Sequence, residues 1–317
     1  MHAAVLHALG KPPRFEEFPD PTPGEGEVLI HVCAAALKPV DKQLAGGKHY
    51  AARISCRLRG GWRGAARDGT RMFFGGPRRP YGAMAERTVV RRAQCFSVPE
   101  DVDDDTAAAI PNPGVSAWLS LKHSAKLASG ETVLILGATG VTGKLAMQIA
   151  KILGAGRVVA AGRNEQVLST LLELGADATI WLDKPHQELV ETFRHEAGEK
   201  GFDVIIDYLW GPPTEALLTA ITGTEFTVAG SETRLVEVGE SAGPTITLPA
   251  AVLRSTALTI LGTAGIPPWD VLTEAFQQVM KHAASGKLRI ETERVPLAEI
   301  EDAWERDVHA RRLVVIP

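Results

Sequence analysis

The segment Thr132-Val-Leu-Ile-Leu-Gly-Ala-Thr-Gly-Val-Thr-Gly-Lys144 joins an apolar run to a glycine-rich turn, and a run with helical spacing follows. The apolar run is rich in Val, Leu and Ile, which predicts a buried parallel strand. Gly137, Gly140 and Gly143 stand at the bend, where backbone without Cβ atoms can approach a diphosphate. The start of the following helix favours an anion. A second strand at 157–161 completes the pattern, which indicates a dinucleotide site.

Residues around this turn suggest which dinucleotide it holds. Thr139 and Val141 lie between the glycines, and we expect their backbone N–H groups to face the diphosphate. Sites specific for NAD usually place an acid at the end of the second strand, whereas an arginine there can pair with the 2′-phosphate of NADP. Here Arg163 occupies that position and Glu165 comes two residues later. The sequence therefore favours NADPH; the alternative is a surface arginine at the start of a helix.

The bulk composition excludes several classes of protein. The 317 residues are 45% hydrophobic and 23% charged, with a net charge of −4. No strong basic field suggests nucleic acid, and no apolar run approaches the ~20 residues of a membrane helix. The N-terminus lacks the pattern of a signal peptide. Three well-separated cysteines, Cys33, Cys56 and Cys95, fit a reducing cytoplasm.

Strand and helix patterns alternate along the middle of the chain, which predicts a parallel sheet with helices on both faces. Strand-like stretches in the first part are 27–35 and 82–90, and a helix begins near Asp103. The tail should return to strand, short helix and strand and rejoin the first part. The predicted central strands are 132–137, 157–161, 177–182, 203–208, 234–238 and 258–262. The predicted central helices are 143–154, 164–174, 186–197, 213–221 and 268–284.

Several short motifs together resemble one family. They are Leu37-Lys-Pro-Val-Asp41, Gly47-Lys-His-Tyr50, Gly82-Ala-Met-Ala-Glu86, Ala109-Ile-Pro-Asn-Pro-Gly-Val-Ser-Ala-Trp118 and the glycine turn. With these motifs in this order, the chain resembles the zinc-free quinone oxidoreductases of the medium-chain dehydrogenase/reductase superfamily over nearly its whole length. The resemblance implies an α/β fold with two domains and a cleft between them. These are a GroES-like, mostly-β catalytic domain (1–112 with 286–317) and a Rossmann domain with a doubly wound parallel sheet (113–285).

The resemblance also bears on metal chemistry. Lys38 stands where zinc-dependent relatives carry their first cysteine ligand, and no histidine shows ligand spacing near a cysteine. Zinc catalysis needs about three Cys, His or carboxylate ligands with one open position. We therefore expect no metal, and hydride transfer from NADPH to an already electron-poor acceptor rather than alcohol oxidation.

Three residues of the first domain are candidates for catalysis. Tyr50 matches a tyrosine that often lines the substrate site of this family, although a half-buried structural tyrosine is an equal alternative. Lys38 replaces the asparagine that is common in quinone reductases, and it could neutralise charge on a substrate oxygen. Asp41 could instead hold Lys38 in an ion pair. Positioning alone could suffice, because water can supply the final proton.

Three further residues are candidates for contact with the cofactor. Asn112 lies in the predicted crossover between the domains and could face the cleft. Ser116 stands where relatives often have threonine. It could bind the diphosphate or the nicotinamide end of the cofactor, or it could bond its own helix backbone. Gly239 follows a predicted strand at the carboxyl edge of the sheet, where ligands of open α/β sheets bind.

Residues 55–67 break the family pattern, because an arginine-rich stretch replaces the expected apolar one. A basic surface loop is one interpretation. We favour a compensated frameshift, since one choice of codons for 56–67, read one base later, gives Ala-Val-Cys-Gly-Val-Asp-Gly-Val-Gly-Arg-Leu-Glu. The hypothesis predicts the loss of a core strand, and the nucleotide sequence decides it.

The sequence thus predicts a cytoplasmic, NADPH-dependent reductase of quinones or conjugated carbonyls, expected to be a homodimer that binds neither nucleic acid nor membrane. A zinc-free enoyl or alkenal reductase differs mainly in substrate. A non-catalytic NADPH-binding regulator is the alternative from another class, and the altered 55–67 segment makes it worth testing.

Overall fold

A computed structural model of the chain describes residues 1–47, 64–67, 70–222, 232–263, 267–306 and 310–317, with the backbone alone described at 64–67. The chain divides into two compact units. Unit 1 comprises Met1–Asn112 and Gln278–Pro317, and unit 2 comprises Pro113–Gln277.

Unit 2 contains a six-stranded parallel sheet in the order β10-β9-β8-β11-β12-β13. This is the order of a doubly wound dinucleotide-binding sheet, whose ligand crevice lies where the strand order reverses, here between β8 and β11. The bounds are β8 Thr132–Leu136, β9 Arg157–Gly162, β10 Ala178–Trp181, β11 Val204–Asp207, β12 Thr233–Glu237 and β13 Leu258–Gly262.

Helices connect these strands. They are α3 Pro111–Leu119, α4 Val141–Ile152, α5 Glu165–Leu171, α6 His186–Ala197, α7 Gly211–Ile221, α8 Ala250–Ser255 and α9 Trp269–Ala284. Helix α3 continues into a π-helical turn at 120–124. Strand β8 is fully buried from Val133 to Leu136, because helices cover the sheet and each apolar side chain gains stability by leaving water.

Unit 1 is built on a mostly antiparallel seven-stranded sheet. Its longest strand, β3, pairs with β15, β4 and β6 along successive parts of its length. The seven strands are β3 Glu27–Leu37, β4 Gly64–Arg67, β5 Arg71–Phe74, β6 Arg87–Arg91, β7 Cys95–Ser97, β14 Thr292–Pro296 and β15 Arg312–Ile316. Strands β1 His2–Val5 and β2 Arg14–Glu17 pair with each other in a separate sheet. The helices are α1 Pro39–Ala45, α2 Asp104–Ala109 and α10 Ile300–Glu305.

The α/β class predicted from the sequence is confirmed, with a parallel sheet and a separate mixed sheet. The tail also behaves as predicted, since β14 and β15 add to the sheet of unit 1. The strand predicted at 82–90 is wrong at its start, because β6 begins at Arg87 and Ala85 makes only an isolated bridge to Ala3. Within the described ranges, no helix is both long and apolar enough to span a membrane.

The unusual 55–67 segment falls largely outside the described residues. Its last four residues, Gly64–Arg67, form β4 between β3 and β5. The sequence shows no strand alternation in this stretch, and at 64–67 the pairing is supplied by the two neighbouring strands. The frameshift hypothesis remains a question for the nucleotide sequence.

Candidate functional site

The turn after β8 is the most closely packed part of unit 2. Gly137 has a φ of +87°, a conformation that glycine adopts without strain. Its N–H and that of Ala138 both donate to the carbonyl oxygen of Ala161 at the end of β9, at 2.9 and 2.8 Å. The turn is thereby fixed against the neighbouring strand.

The glycines of this turn serve two different purposes. A Cβ on Gly143 would lie 2.3 Å from the carbonyl oxygen of Gly137 and 2.6 Å from Cα of Ala138, so its hydrogen lets helix α4 pack against the turn. A Cβ on Gly140 would meet only the Gly137 oxygen, at 3.4 Å. Gly140 is exposed and is the residue immediately before α4. Space for a ligand therefore lies at Gly140 and not at Gly143.

The beginning of α4 has the properties of an anion site. No side chain caps it, and the first turn contains no acidic residue. The first N–H groups of a helix have no acceptor within the helix, and the helix dipole places partial positive charge there. Val141 follows Gly140 at this end. The cradle fits the diphosphate of a dinucleotide.

The end of β9 continues the site away from the turn. Gly162 lies under Thr139, because a Cβ on Gly162 would come within 2.4 Å of the threonine Cγ2. Arg163 follows and is exposed, and among the described residues no carboxylate forms an ion pair with it. The Oδ1 of Asn164 accepts a hydrogen bond from the N–H of Val167 at 3.1 Å and so caps α5. The backbone at Arg163 is therefore fixed at the start of α5, and its exposed guanidinium is available to bind an anionic ligand.

The end of β11 adjoins the same turn across the switch point. A Cβ on Gly137 would lie 3.2 Å from Cβ of Tyr208, so the two segments are in contact. Asp207 is buried; its Oδ1 accepts from the N–H groups of Leu209 and Trp210 at 2.8 and 2.9 Å, and its Oδ2 accepts from Thr214 Oγ1 at 2.6 Å. These bonds hold Trp210 at a φ of +54°, which is rare for a bulky residue.

Asp207 should matter for stability, because its removal would leave three donors without an acceptor. Substitution Asp207→Ala should lower the free energy of unfolding by about 3 kcal/mol, whereas Asp207→Asn keeps Oδ1 and should cost less. Urea unfolding of both variants at neutral pH measures the difference. Equal losses would contradict this role for Oδ1.

The pH dependence gives a second check on Asp207. Burial raises its pKa above the ordinary value of 3.8, although hydrogen bonds from Thr214, Trp210 and Leu209 oppose the shift. A raised pKa means that the folded state holds the proton more tightly. The carboxyl's contribution to stability is thus greatest below pH 3.8 and declines as the pH rises through the folded pKa. Asp207→Asn should remove that decline.

Two of the three catalytic candidates of the first domain, Lys38 and Asp41, form a buried ion pair. The Nζ of Lys38 lies 2.8 Å from Asp41 Oδ2 and donates to the carbonyl oxygen of Ala36 at 3.0 Å, with the two ionic side chains 3% and 1% exposed. Asp41 Oδ2 also accepts the backbone N–H of Lys38 at 3.0 Å, at the start of α1. Burial lowers the pKa of nearby Arg312 to about 10, against an opposing effect of Asp41. The ion-pair interpretation describes this geometry, and catalysis by Lys38 or Asp41 stays a prediction.

These residues do not fit a zinc centre. The ammonium of Lys38 is bound to Asp41 and cannot ligate a metal. Within the part of the chain that the structure describes, no three His, Cys, Asp or Glu side chains are arranged to hold a metal ion.

The remaining candidates lie in separate places. Asn112 and Ser116 are half-buried in α3, where the Ser116 carbonyl accepts from Ser120 Oγ at 2.9 Å. Gly239 is at the carboxyl edge after β12, and its N–H donates to the Asp207 carbonyl oxygen at 3.2 Å. Tyr50 lies outside the described residues. Among the candidates that the structure describes, those from Gly137 to Gly143, with Arg163 and Gly239, are placed along one sheet edge.

Comparison with known proteins identifies the fold and its relatives. A family model described as zinc-binding dehydrogenase matches residues 141–285. The quinone oxidoreductase of Sus scrofa is 29% identical over 92% of this chain and 88% of that protein. The quinone oxidoreductase of Thermus thermophilus, solved alone and with NADPH, is 27% identical with a TM-score of 0.79 over the full length of both chains.

The comparisons support an oxidoreductase of the quinone oxidoreductase type within the medium-chain dehydrogenase/reductase superfamily. The structure of AibC shows the same fold, with a TM-score of 0.85 at 24% identity, covering all of this chain and 96% of that one.

Sequence reasoning misses two features of the site. From its place after the glycines, Lys144 could be a phosphate ligand or a solvated lysine, but it is buried in α4. No sequence pattern indicates the tether that joins Trp181 to Arg163, where the indole Nε1 donates to the carbonyl oxygen at 3.0 Å. An exposed ring cannot be distinguished from a buried one by strand pattern alone.

Proposed function

We propose that the chain reduces quinones or conjugated carbonyl compounds with NADPH as hydride donor. The glycine turn and the free start of α4, with Arg163 at the end of the next strand, carry this proposal. NADPH is the dinucleotide bound in the structure of the Thermus relative, and an arginine at this position suits its 2′-phosphate.

Each element of unit 2 has a separate part in holding the cofactor. The N–H groups at Val141 and its neighbours bind the diphosphate, and the absence of a side chain at Gly140 lets it approach. Arg163 pairs with the 2′-phosphate. Gly239 lets its segment pack closely against the end of β11 at this edge, because a Cβ would lie 3.2 Å from the Tyr208 carbonyl oxygen. Bound NADPH supplies the hydride, and water supplies the proton that completes the reduced product.

The activity is tested by following the oxidation of NADPH by its absorbance with 1,4-benzoquinone and, separately, with an alkenal. Turnover with the quinone supports the proposed function. Turnover with the alkenal alone would favour the alkenal reductase alternative. NADPH binding without turnover on either substrate would indicate the non-catalytic regulator.

We also propose that two copies associate through the edge of the unit 2 sheet. Among the described strands β13 pairs with β12 alone, and a strand edge of this kind is a template for pairing. Helix α8 runs into β13 and exposes Leu253, while Leu248 lies exposed just before it. An open edge beside apolar side chains suits a second copy of the chain, which would have the same edge to pair.

Mass measurement in solution checks this association. The chain should elute with about twice its 33.9 kDa mass. Leu253→Glu should shift it to the monomer, while Leu172→Glu, also at an exposed leucine, should not. A monomeric wild type at micromolar concentration would overturn the proposal.

A further inference from the structure

The carboxyl edge of β10 carries a large aromatic ring. Trp181 is the last residue of β10 and is 38% exposed. Its neighbours Ile180 and Leu182 are buried in the core that includes α6. Since side chains alternate along a strand, Trp181 lies on the opposite face of the sheet. The ring is thus partly in solvent at the edge where ligands of such sheets bind.

A hydrogen bond fixes this ring beside the proposed phosphate ligand. The Trp181 indole Nε1 donates to the carbonyl oxygen of Arg163 at 3.0 Å. Trp181 also stands opposite Gly162 in the pairing of β10 with β9. The ring is therefore held next to Arg163 before any ligand binds, so binding would not have to immobilise it.

The ring and the glycine turn are spaced across three adjacent strands. Thr139 of the turn lies over Gly162, and Gly162 is paired with Trp181. Strands β8 and β10 lie two strand spacings apart, one on each side of β9, which amounts to roughly 10 Å. If the diphosphate lies at α4 and the 2′-phosphate at Arg163, the adenosine part of the dinucleotide would lie on the β9 and β10 side of the glycine turn, within reach of Trp181.

We propose that Trp181 forms a wall of the adenosine subsite and that its ring contacts the adenine. Aromatic side chains stack on nucleic acid bases because both present a flat π-face. Arg163 supplies the charge for the 2′-phosphate, and Trp181 supplies the apolar surface for the base. This assignment rests on the proposed NADPH site and names the part of the cofactor that Trp181 recognises.

Calorimetry with adenosine 2′,5′-bisphosphate tests the assignment, because this fragment lacks the nicotinamide half. Trp181→Leu should weaken the fragment and NADPH by the same factor, about tenfold, and Trp181→Phe by less. Trp269→Leu, at another exposed tryptophan of unit 2, should leave both affinities unchanged. Fragment binding by Trp181→Leu at the wild-type affinity would overturn the assignment.

Fluorine NMR of the 5-fluorotryptophan-labelled chain tests the contact in the unaltered fold. The resonance that is missing from the Trp181→Phe spectrum belongs to Trp181. It should shift with adenosine 2′,5′-bisphosphate and not with nicotinamide mononucleotide. If the wild type binds NADPH while this resonance stays in place, the Trp181 assignment alone fails. If the wild type binds no NADPH, the proposed function fails with it.

Discussion

Replacement of Gly143 by alanine should both destabilise the chain and abolish NADPH binding. The new Cβ would stand 2.3 Å from the Gly137 carbonyl oxygen and 2.6 Å from Cα of Ala138. Both are backbone atoms that hydrogen bonds to Ala161 already fix, so α4 must move away from the turn. Overpacking of this kind costs about 3 kcal/mol, and we expect a Tm lower by several degrees with NADPH affinity reduced by about 100-fold or more.

Gly140→Ala is the matched control, because it adds the same methyl group three residues earlier. Gly140 has a φ of −80°, and the added Cβ would meet its nearest atom at an ordinary 3.4 Å. The fold should tolerate this methyl, but it would stand where the diphosphate approaches α4. Thermal unfolding and NADPH titration should therefore separate the variants, with Gly143→Ala affected in both and Gly140→Ala in binding alone. A normal Tm for Gly143→Ala would contradict the packing role.

The central strands of the unit 2 sheet can be predicted closely because they are buried on both faces. Continuous apolar runs mark such strands, and β8, predicted at 132–137, is observed at 132–136 and is buried from its second residue on. The predicted bounds of helix α6, 186 and 197, are also the observed ones, because its apolar residues recur at helical spacing. Local pattern suffices where an element's burial is uniform or strictly periodic.

Elements that depend on their neighbours escape prediction from the sequence. Helix α3 has prolines at 111 and 113, and their place in its first turn, where a missing N–H costs little, is not visible in the sequence. Short helix α8 also lacks a clear pattern. Strand β4, Gly-Ala-Ala-Arg, has no strand signature and exists through pairing with β3 and β5.

The candidate site also combines features that the local sequence predicts with features that only the folded structure shows. The glycine spacing locates the cofactor turn, but only the geometry separates Gly143, which packs α4, from Gly140, which leaves space for a ligand. The sequence allows either an electrophilic Lys38 or a Lys38–Asp41 pair, and long-range folding buries both as an ion pair. The pair itself is local, three residues apart at the start of α1, but its burial and the packing of α4 on the turn depend on other elements, which no local pattern encodes.

Arg163→Ala should weaken NADPH binding by roughly 10- to 100-fold and leave NADH binding nearly unchanged. A hydrogen bond to a charged group contributes about 1.5–3 kcal/mol, and NADH lacks the phosphate that would accept it. The fold should not be affected. The Asn164 side chain still caps α5, and the Trp181 bond goes to the backbone carbonyl of residue 163, which any residue provides.

Titration of both cofactors at two salt concentrations checks the origin of this effect. Because Arg163 is exposed, salt should weaken wild-type NADPH binding more than that of Arg163→Ala, as expected when a screened charge pair is removed. Arg163→Lys should retain part of the preference for NADPH, since it keeps the charge but loses the planar fork. Arg254→Ala, at an exposed arginine of α8, is the control and should change neither affinity. Equal losses of NADPH and NADH in Arg163→Ala would show that the side chain shapes the site without reading the phosphate, and the cofactor preference would then need another cation.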